Sequence, residues 1–260
     1  SPYEEEVFTV YGHAALRVHD PERKVDYVFN YGIFDFSKPN FIYRFAKGET
    51  DYRLGVVNYT DYVIEYQLRG STITEQELNL TTAERQRLWE ALVENYRPEN
   101  RVYRYNFFFD NCATRPAALI EKVVGQVDYH YPYTSQTFRS LINYCTRHHA
   151  WLTFGCDLAL GSPTDQEATP HEMLFLPDYL REAFAKAEII DTQGQHRPLV
   201  SKTHVIEAAE PDELEKDLWD LLSPLRLGWL IFAITNVITL LGRFQKRAYK
   251  GLDILLFGLA

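Results

Sequence analysis

The chain has little cysteine and fewer basic than acidic residues, and both shortages restrict its function. Only three of its 260 residues are cysteine, and they form no CxxC motif and no cluster with histidine. This argues against a zinc site. We expect no other metal and no cofactor. The 27 Lys and Arg are outnumbered by 36 Asp and Glu, which gives a net charge of −9. Nucleic acid binding requires a basic surface, so we expect no nucleic acid partner.

Two of the three cysteines could form a disulfide. Cys145 and Cys156 lie 11 positions apart, and their pairing would leave Cys112 free. Such a bond would indicate an oxidising compartment. The alternative is that both are buried free thiols.

The remaining cysteine, Cys112, lies in the stretch with the most distinctive chemistry. It ends the sequence Phe107-Phe108-Phe109-Asp110-Asn111-Cys112, and a helix-like segment follows. Pro116 requires that helix to begin near Thr114 or to kink there. A thiol at a helix start lies near unpaired N–H groups and the positive end of the helix dipole, which favour a thiolate. Cys112 is thus a candidate nucleophile, and a small buried hydrophobic residue is the alternative.

A cysteine nucleophile needs a base, and His13 is the best candidate among the eight histidines. It lies within a strand-like segment, Val7 to His19, whereas His19 borders the turn and the remaining histidines occupy turn-like, polar or helix-end positions. Asp20-Pro21-Glu22-Arg23 predicts a type I turn into a second strand, Val25 to Phe36. Pairing the first and last residues of that turn places His13 opposite Asn30. We therefore expect Asn30 to orient the imidazole, with Asp35 as the second candidate.

Three further residues are candidates for the site. Tyr11 would share a strand face with His13 and could donate to an oxyanion together with the Cys112 backbone N–H, although strand tyrosines usually pack. Arg115 could bind a substrate phosphate, or it could pair with an acidic neighbour such as Asp110. Asn111, next to the nucleophile, is the remaining candidate for substrate binding.

Other segments predict a mixture of strands and helices. Asp51 to Leu54 and Tyr59 to Leu68 are strand-like, and Val102 to Phe109 leads into the cysteine. Thr81 and Glu84 form a capping-box signature at the start of a helix that Pro98 ends. Further helices are expected over Ser135 to His148 and from Pro177 to Phe184.

The C-terminal part predicts a membrane segment. Sixteen uncharged residues run from Leu227 to Gly242, so we expect one transmembrane helix at about 226–243, with a buried helix of a soluble protein as the alternative. Four basic residues between 243 and 250 then precede a second apolar run, 252–260, which would begin another helix. The positive-inside rule makes the basic loop cytoplasmic. We therefore divide the chain into a periplasmic domain, 1–215, and a membrane segment, 216–260.

Several blocks of the sequence resemble the Lnb N-terminal periplasmic domain family. They are 11–18 (YGHAALRV), 30–36 (NYGIFDF), 106–115 (NFFFDNCATR), 151–161 and 174–180. The resemblance implies an α+β fold that is a circularly permuted papain-like (NlpC/P60-like) domain. In such a fold the strand histidine precedes the helix cysteine, as His13 precedes Cys112 here.

The resemblance also implies an activity. Membrane-anchored members of the family from Bacteroides-type bacteria are implied to be lipoprotein N-acyltransferases of the inner membrane, with the catalytic domain in the periplasm. Cys112 would be the nucleophile and His13 the base. The partners would be a phospholipid acyl donor, a diacylated lipoprotein acceptor and the membrane itself.

Two other functions stay open at this point. The same dyad could cleave cell-wall peptides, as NlpC/P60-type cysteine peptidases do. A membrane-tethered binding domain with an incidental cysteine and histidine is the non-enzymatic alternative. An apolar lining around Cys112 would favour acyl transfer, and an open polar groove would favour the peptidase.

Overall fold

The computed structural model describes residues 9–33, 44, 48–208, 222–245 and 251. This part of the chain combines α-helices with antiparallel sheets, so the predicted α+β class is confirmed. The strands are β1 (Leu16–Asp20), β2 (Val25–Ile33), β3 (Asp51–Asn58), β4 (Ile73–Leu78), β5 (Val102–Arg104), β6 (Gln126–Asp128), β7 (Gln136–Thr137), β8 (Glu167–Ala168), β9 (Glu188–Ile190), β10 (His196–Pro198) and β11 (Val200–Ile206). The helices are α1 (Tyr59–Leu68), α2 (Thr82–Tyr96), α3 (Thr114–Val124), α4 (Phe138–Thr146), α5 (Ala150–Leu160), α6 (Pro177–Lys186) and α7 (Pro224–Gln245).

The largest sheet has the strand order β1-β2-β3-β5. Small sheets of order β10-β9-β6, β11-β4 and β7-β8 flank it, and every pairing is antiparallel. The buried face of the main sheet packs with α2, α3 and α6 in one hydrophobic cluster. A second cluster joins α4 to a 3₁₀ turn, Glu172–Phe175, and the phenylalanines that precede Cys112 pack against it.

The first hairpin forms with a longer turn than the predicted one. Asp20 pairs with Val25 rather than Arg23, because the Asp20 carboxylate accepts hydrogen bonds from the backbone N–H groups of Glu22 and Arg23. Lys24 then takes a positive φ of 55° that completes the turn. The pairing is therefore shifted by two residues, which leaves each side chain on its predicted face.

Two predicted strands are wrong. In the described part of the strand predicted over Val7 to His19, a 3₁₀ turn at Thr9–Tyr11 precedes β1, and His13 lies in the irregular segment between them. Tyr59 to Leu68 is the helix α1, in which Tyr62 and Tyr66 lie four residues apart on one face. The aromatic content of this segment suggests a strand, but its periodicity is helical.

Most predicted helices are confirmed. Thr81 and Glu84 form both hydrogen bonds of the capping box of α2, and α6 begins with Pro177 at its first turn. α3 begins at Thr114, so Pro116 falls in the first turn, where it removes no helical hydrogen bond. α4 is shorter than predicted at both ends, because Thr137 caps its start.

The C-terminal helix α7 is longer than the predicted 226–243. It has 22 residues, it is long and apolar enough to cross a membrane, and almost none of it is buried. A core helix of a soluble protein would be mostly buried, so the exposure of α7 favours a transmembrane helix. The second apolar run, most of the basic loop and Asp35 lie outside the described residues.

The predicted disulfide is wrong. Cys145 and Cys156 are both free thiols, as is Cys112. Burial raises the pKa of the Cys145 thiol to about 11 and raises the pKa of Cys156 as well. Both thiols are thus held in their protonated form at neutral pH.

Candidate active site

A short closed loop presents the cysteine to the main sheet. Asn106 and Asp110 exchange backbone hydrogen bonds of 3.1 and 2.9 Å, and the Asn106 side chain accepts from the two N–H groups at the loop tip. Phe107 and Phe108 lie in the loop and pack edge-to-face on Phe175. The aromatic run before the cysteine is therefore an anchor that fixes where the chain enters α3.

Asn111 holds the start of α3 in place. Its side chain is 2% exposed and donates to the carbonyls of Phe107 and Phe175, each at 2.8 Å. Its Oδ1 accepts from the N–H groups of Ala113 and Thr114, at 2.8 and 2.9 Å. These bonds occupy both amide hydrogens and the carbonyl oxygen, so Asn111 is a buried structural residue and does not face a substrate. We predicted a substrate-binding role for Asn111; in the structure its side chain stabilises the turn that leads into α3.

His13 and Asn30 contact each other beside the cysteine. The imidazole Nε2 lies 2.7 Å from Asn30 Oδ1, and the ring also hydrogen-bonds Cys112. Because Nε2 is directed at the amide oxygen, Nδ1 is the nitrogen left for the thiol. The structure thus brings together three of the predicted site residues in the order thiol, imidazole, amide.

A glycine makes room for this contact. Gly32 lies where β2 carries a register shift between Tyr31 and Ile33, and its φ is +145°. A Cβ at Gly32 would lie 3.2 Å from His13 Cε1 and 3.5 Å from Cys112 Cβ. The bulge therefore bends β2 next to the dyad. A residue larger than glycine at position 32 would occupy the space beside His13 and Cys112.

The electrostatics favour a thiolate–imidazolium pair. Burial acts to raise the pKa of Cys112, but the His13 imidazolium and the N–H groups of Ala14 and Cys112 outweigh it, so that this pKa is lowered. Burial acts to lower the pKa of His13, but the thiolate and the hydrogen bonds to Cys112 and Asn30 raise it overall. Both residues are nevertheless only partly buried in the fold.

Tyrosines from three elements surround the cysteine. For each of them burial raises the hydroxyl pKa, and the charge of a Cys112 thiolate raises it further. They are Tyr52, Tyr62, Tyr66, Tyr103 and Tyr105. The surroundings of the dyad are therefore rich in mostly buried aromatic rings, and we call these five residues the tyrosine lining.

Two other predicted site residues have partners away from the thiol. The Tyr11 hydroxyl lies 3.2 Å from Cys156 Sγ, and its ring packs edge-to-face on Phe107. Arg115 binds both carboxylate oxygens of Asp110, at 2.5 and 2.8 Å, and its guanidinium lies 3.6 Å from the centre of the Tyr103 ring. The Asp110 pairing is one of the alternatives that the sequence left open for Arg115.

Sequence reasoning missed the tyrosine lining. Tyr62 and Tyr66 reach the site from α1, which we predicted to be a strand, and their i, i+4 spacing was the available signal. Tyr103 and Tyr105 come just before the closed loop, on alternate positions that share one face of the chain. Arg69, directly after α1, was also missed, and its charge acts to lower the pKa of His13.

Within the described residues, no group of three or more His, Cys, Asp or Glu side chains could hold a metal ion.

In comparisons with known proteins, residues 2–144, which are more than half of the chain, match the Lnb N-terminal periplasmic domain family. The match ends before α5, so the later blocks of resemblance fall outside it. No curated protein and no solved structure gave a match.

Proposed function

Since the chain belongs to the Lnb N-terminal periplasmic domain family, we propose that it is a lipoprotein N-acyltransferase of the bacterial inner membrane. The family and the helix α7 indicate a periplasmic domain of a membrane protein. The proposed N-acyltransferase activity is supported mainly by one observation. A Cys112–His13–Asn30 arrangement with a lowered thiol pKa lies among tyrosines in a chain with a helix suited to span a membrane.

The first half-reaction would acylate the cysteine. The Cys112 thiolate attacks an ester carbonyl of a phospholipid, and a carbon–sulfur bond forms as the carbonyl oxygen becomes an oxyanion. The Cys112 backbone N–H and the buried Tyr103 hydroxyl are the proposed donors to that oxyanion. Collapse breaks the carbon–oxygen bond, and the His13 imidazolium gives its proton to the departing lysophospholipid oxygen.

The second half-reaction would transfer the acyl group to an amine. The free α-amine of a diacylated lipoprotein attacks the thioester, His13 accepts the amine proton, and the thiolate leaves as the amide forms. Water must be kept from the thioester, and an aromatic lining serves that requirement. Arg69 pairs with Glu65 at 2.7 Å and its charge acts on His13, and it is the proposed contact for the phosphate of the donor.

The proposal includes a circularly permuted papain-like fold. Its support is the chain order of histidine before cysteine, and the imidazole Nε2 directed at an amide oxygen. The same geometry would serve a cysteine peptidase of the NlpC/P60 type. The lining of five tyrosines is the reason to favour acyl transfer over cleavage of cell-wall peptides.

The test is to incubate the detergent-solubilised full chain with phospholipid alone, without a lipoprotein acceptor, and to measure its intact mass. We expect a hydroxylamine-labile acyl group on Cys112, which a diacylated lipopeptide then removes. Cys112→Ala should carry no acyl group, and Cys145→Ser, a matched change of a buried thiol, should carry the normal amount. Acylation of Cys112→Ala at the normal rate would overturn the mechanism. Cleavage of cell-wall peptides with no acyl group at any time would favour the peptidase.

A further inference from the structure

The exposed face of the helix α5 carries only apolar residues, and its polar side chains, Thr153 and Asp157, lie on the inward face. Its exposed residues repeat every four positions and form one continuous stripe that contains no polar side chain. They are Ala150, Trp151, Phe154, Gly155, Leu158 and Ala159. The exposed fraction is 37% for Trp151, 50% for Phe154 and 75% for Leu158. A helix on the water-exposed surface of a protein has the opposite arrangement.

The inward face of α5 is held by polar contacts with α4. Thr153 Oγ1 lies 2.9 Å from the Thr146 carbonyl oxygen, and Asp157 accepts a 2.6 Å hydrogen bond from Arg139. The same arginine also pairs with Asp165, in the turn that follows α5. These contacts fix the rotation of the helix about its axis. The apolar stripe is therefore a built feature of the fold that cannot turn inward without breaking them.

The position of α5 identifies what covers the stripe. Trp151 Nε1 donates a 2.9 Å hydrogen bond to the carbonyl of Leu222, two residues before α7 begins at Pro224, and α5 packs against α7. The stripe is thus continuous with the point at which the chain would enter the membrane. On α4, Tyr144 is 57% exposed beside α5 and carries the Arg147 guanidinium 4.1 Å from its ring centre. Aromatic and cationic side chains of this kind are typical of the membrane–water boundary.

We propose that α5 lies in the membrane surface, with Trp151, Phe154 and Leu158 inserted into the lipid leaflet that α7 enters. Its apolar stripe and its contact with α7 meet the requirements for an interfacial helix. The inner face of α5 is in turn joined to the catalytic segment, because Cys156 contacts Tyr11, two residues before His13. The inserted helix therefore holds the dyad at a fixed distance from the lipid. This inference does not depend on acyl transfer.

The experiment uses the full chain in nanodiscs of phosphatidylethanolamine and phosphatidylglycerol, with the photoreactive residue p-benzoylphenylalanine at Phe154 or at Leu158. The matched control carries it at Val93, a residue of α2 that is 41% exposed. After irradiation, mass spectrometry measures lipid adducts at each position. We expect the yield at Phe154 and Leu158 to be at least about fivefold higher than at Val93, as insertion to the acyl boundary requires.

Three results would overturn the proposal. Equal lipid yields at all three positions would show that α5 is not inserted. Adducts to a second copy of the chain would make the stripe a dimer interface. Adducts to the chain's own residues 209–221 or 252–260 would show that a segment of the same molecule covers it. If the labelled proteins melt at the same temperature as the unlabelled chain, each variant is folded. A Phe154→Asp substitution in the protein labelled at Leu158 should abolish the lipid adduct.

Discussion

The imidazole Nε2 of His13 lies 2.7 Å from Oδ1 of Asn30, although the two residues are 17 positions apart and on either side of a hairpin turn. This contact leaves one tautomer of the neutral ring in place, with hydrogen on Nε2 and the lone pair of Nδ1 directed at the thiol. The amide therefore selects the form of the base that can accept the Cys112 proton. Asn30 acts through His13 and is a positioning residue.

Asn30→Ala should lower kcat for acyl transfer by about tenfold, which is less than the roughly 10²–10⁴-fold expected for His13→Ala, because the base is present but is no longer held in one orientation. The KM for phospholipid should change little, since the amide does not contact substrate. Asn30→Asp keeps an acceptor at the same place and should recover most of the rate. Steady-state kinetics of the three variants provide the measurement. Loss of kcat in Asn30→Asp equal to that in Asn30→Ala would contradict a hydrogen-bonding role.

The space at Gly32 provides a second test of the dyad. In Gly32→Ala the new Cβ meets His13 Cε1 at 3.2 Å, so the imidazole must shift by a few tenths of an ångström, and we expect this shift to disturb its contact with the thiol. Gly194→Ala is a matched control, because Gly194 also has a positive φ, of 77°, and a Cβ there meets nothing within 4 Å. Both variants should lose stability by about 1 kcal/mol or more from backbone strain.

Only Gly32→Ala should also slow acyl transfer and alkylation of Cys112. Melting temperatures and single-turnover acylation rates would be measured side by side. If Gly194→Ala slowed acylation as much as Gly32→Ala, the effect would be one of general destabilisation, and the close approach of Gly32 to the dyad would have no catalytic meaning.

The sequence predicted the His13–Asn30 contact from a register that was wrong by two residues. The contact forms although His13 precedes β1, because side chains alternate along a strand and a shift of two positions keeps Asn30 on its predicted face of β2. The turn length itself was not predictable from the Asp-Pro pair, since it depends on the Asp20 side chain and on the positive φ of Lys24.

The tyrosine lining could not be assembled from the sequence for a different reason. Tyr52, Tyr62 and Tyr103 come from a strand, a helix and another strand, and only the pairing of β3 with β5 and the packing of α1 bring them together. The start of α3 and the capping box of α2 can be predicted from local sequence patterns, whereas these long-range contacts depend on the tertiary structure. Asn111 illustrates the same limit, because its partner Phe175 is 64 positions away.

Asn111→Ala should destabilise the protein by about 3 kcal/mol or more, because it leaves the carbonyls of Phe107 and Phe175 and two N–H groups of α3 without their partner. Asn143→Ala is the matched control. Its Oδ1 is buried with no hydrogen-bond partner among the described residues, and its Nδ2 has one long bond of 3.5 Å. Denaturant unfolding of both variants provides the comparison. Equal losses of stability would contradict the structural role of Asn111.

The variant Tyr103→Phe tests whether the Tyr103 hydroxyl has a catalytic or a structural role. The Tyr103 hydroxyl is buried without a hydrogen-bond partner among the described residues, so its removal should leave the free energy of unfolding unchanged or raise it by about 1 kcal/mol. If the hydroxyl donates to the oxyanion, its removal should lower kcat by about 10–10³-fold. Tyr31→Phe is the control, because the Tyr31 hydroxyl accepts a 2.9 Å bond from Asn95. That variant should lose stability and keep its activity, and full activity of Tyr103→Phe would exclude the donor role.

Alkylation of the three cysteines as a function of pH tests the electrostatics of the site. The folded-state pKa of Cys112 is lowered, so its thiolate persists as the pH falls below the ordinary thiol value of about 8.5. Iodoacetamide should therefore label Cys112 at neutral pH, while Cys145, with a pKa of about 11, and Cys156, whose pKa is also raised, stay unlabelled. Peptide mass spectrometry resolves the three rates in one experiment.

His13→Ala removes the imidazolium and leaves burial, which acts to raise the pKa of the thiol. The midpoint of the Cys112 alkylation curve should then move to higher pH, and the rate at neutral pH should fall. In the wild type, the stabilisation from the lowered thiol pKa is present above about pH 8.5 and is lost as the pH falls through the folded-state value. The stabilisation from the raised His13 pKa is present below about pH 6.5 and is lost as the pH rises through its own folded-state value. An alkylation midpoint that is unchanged in His13→Ala would show that the imidazole does not set the charge of Cys112, and the proposed thiolate–imidazolium pair would be wrong.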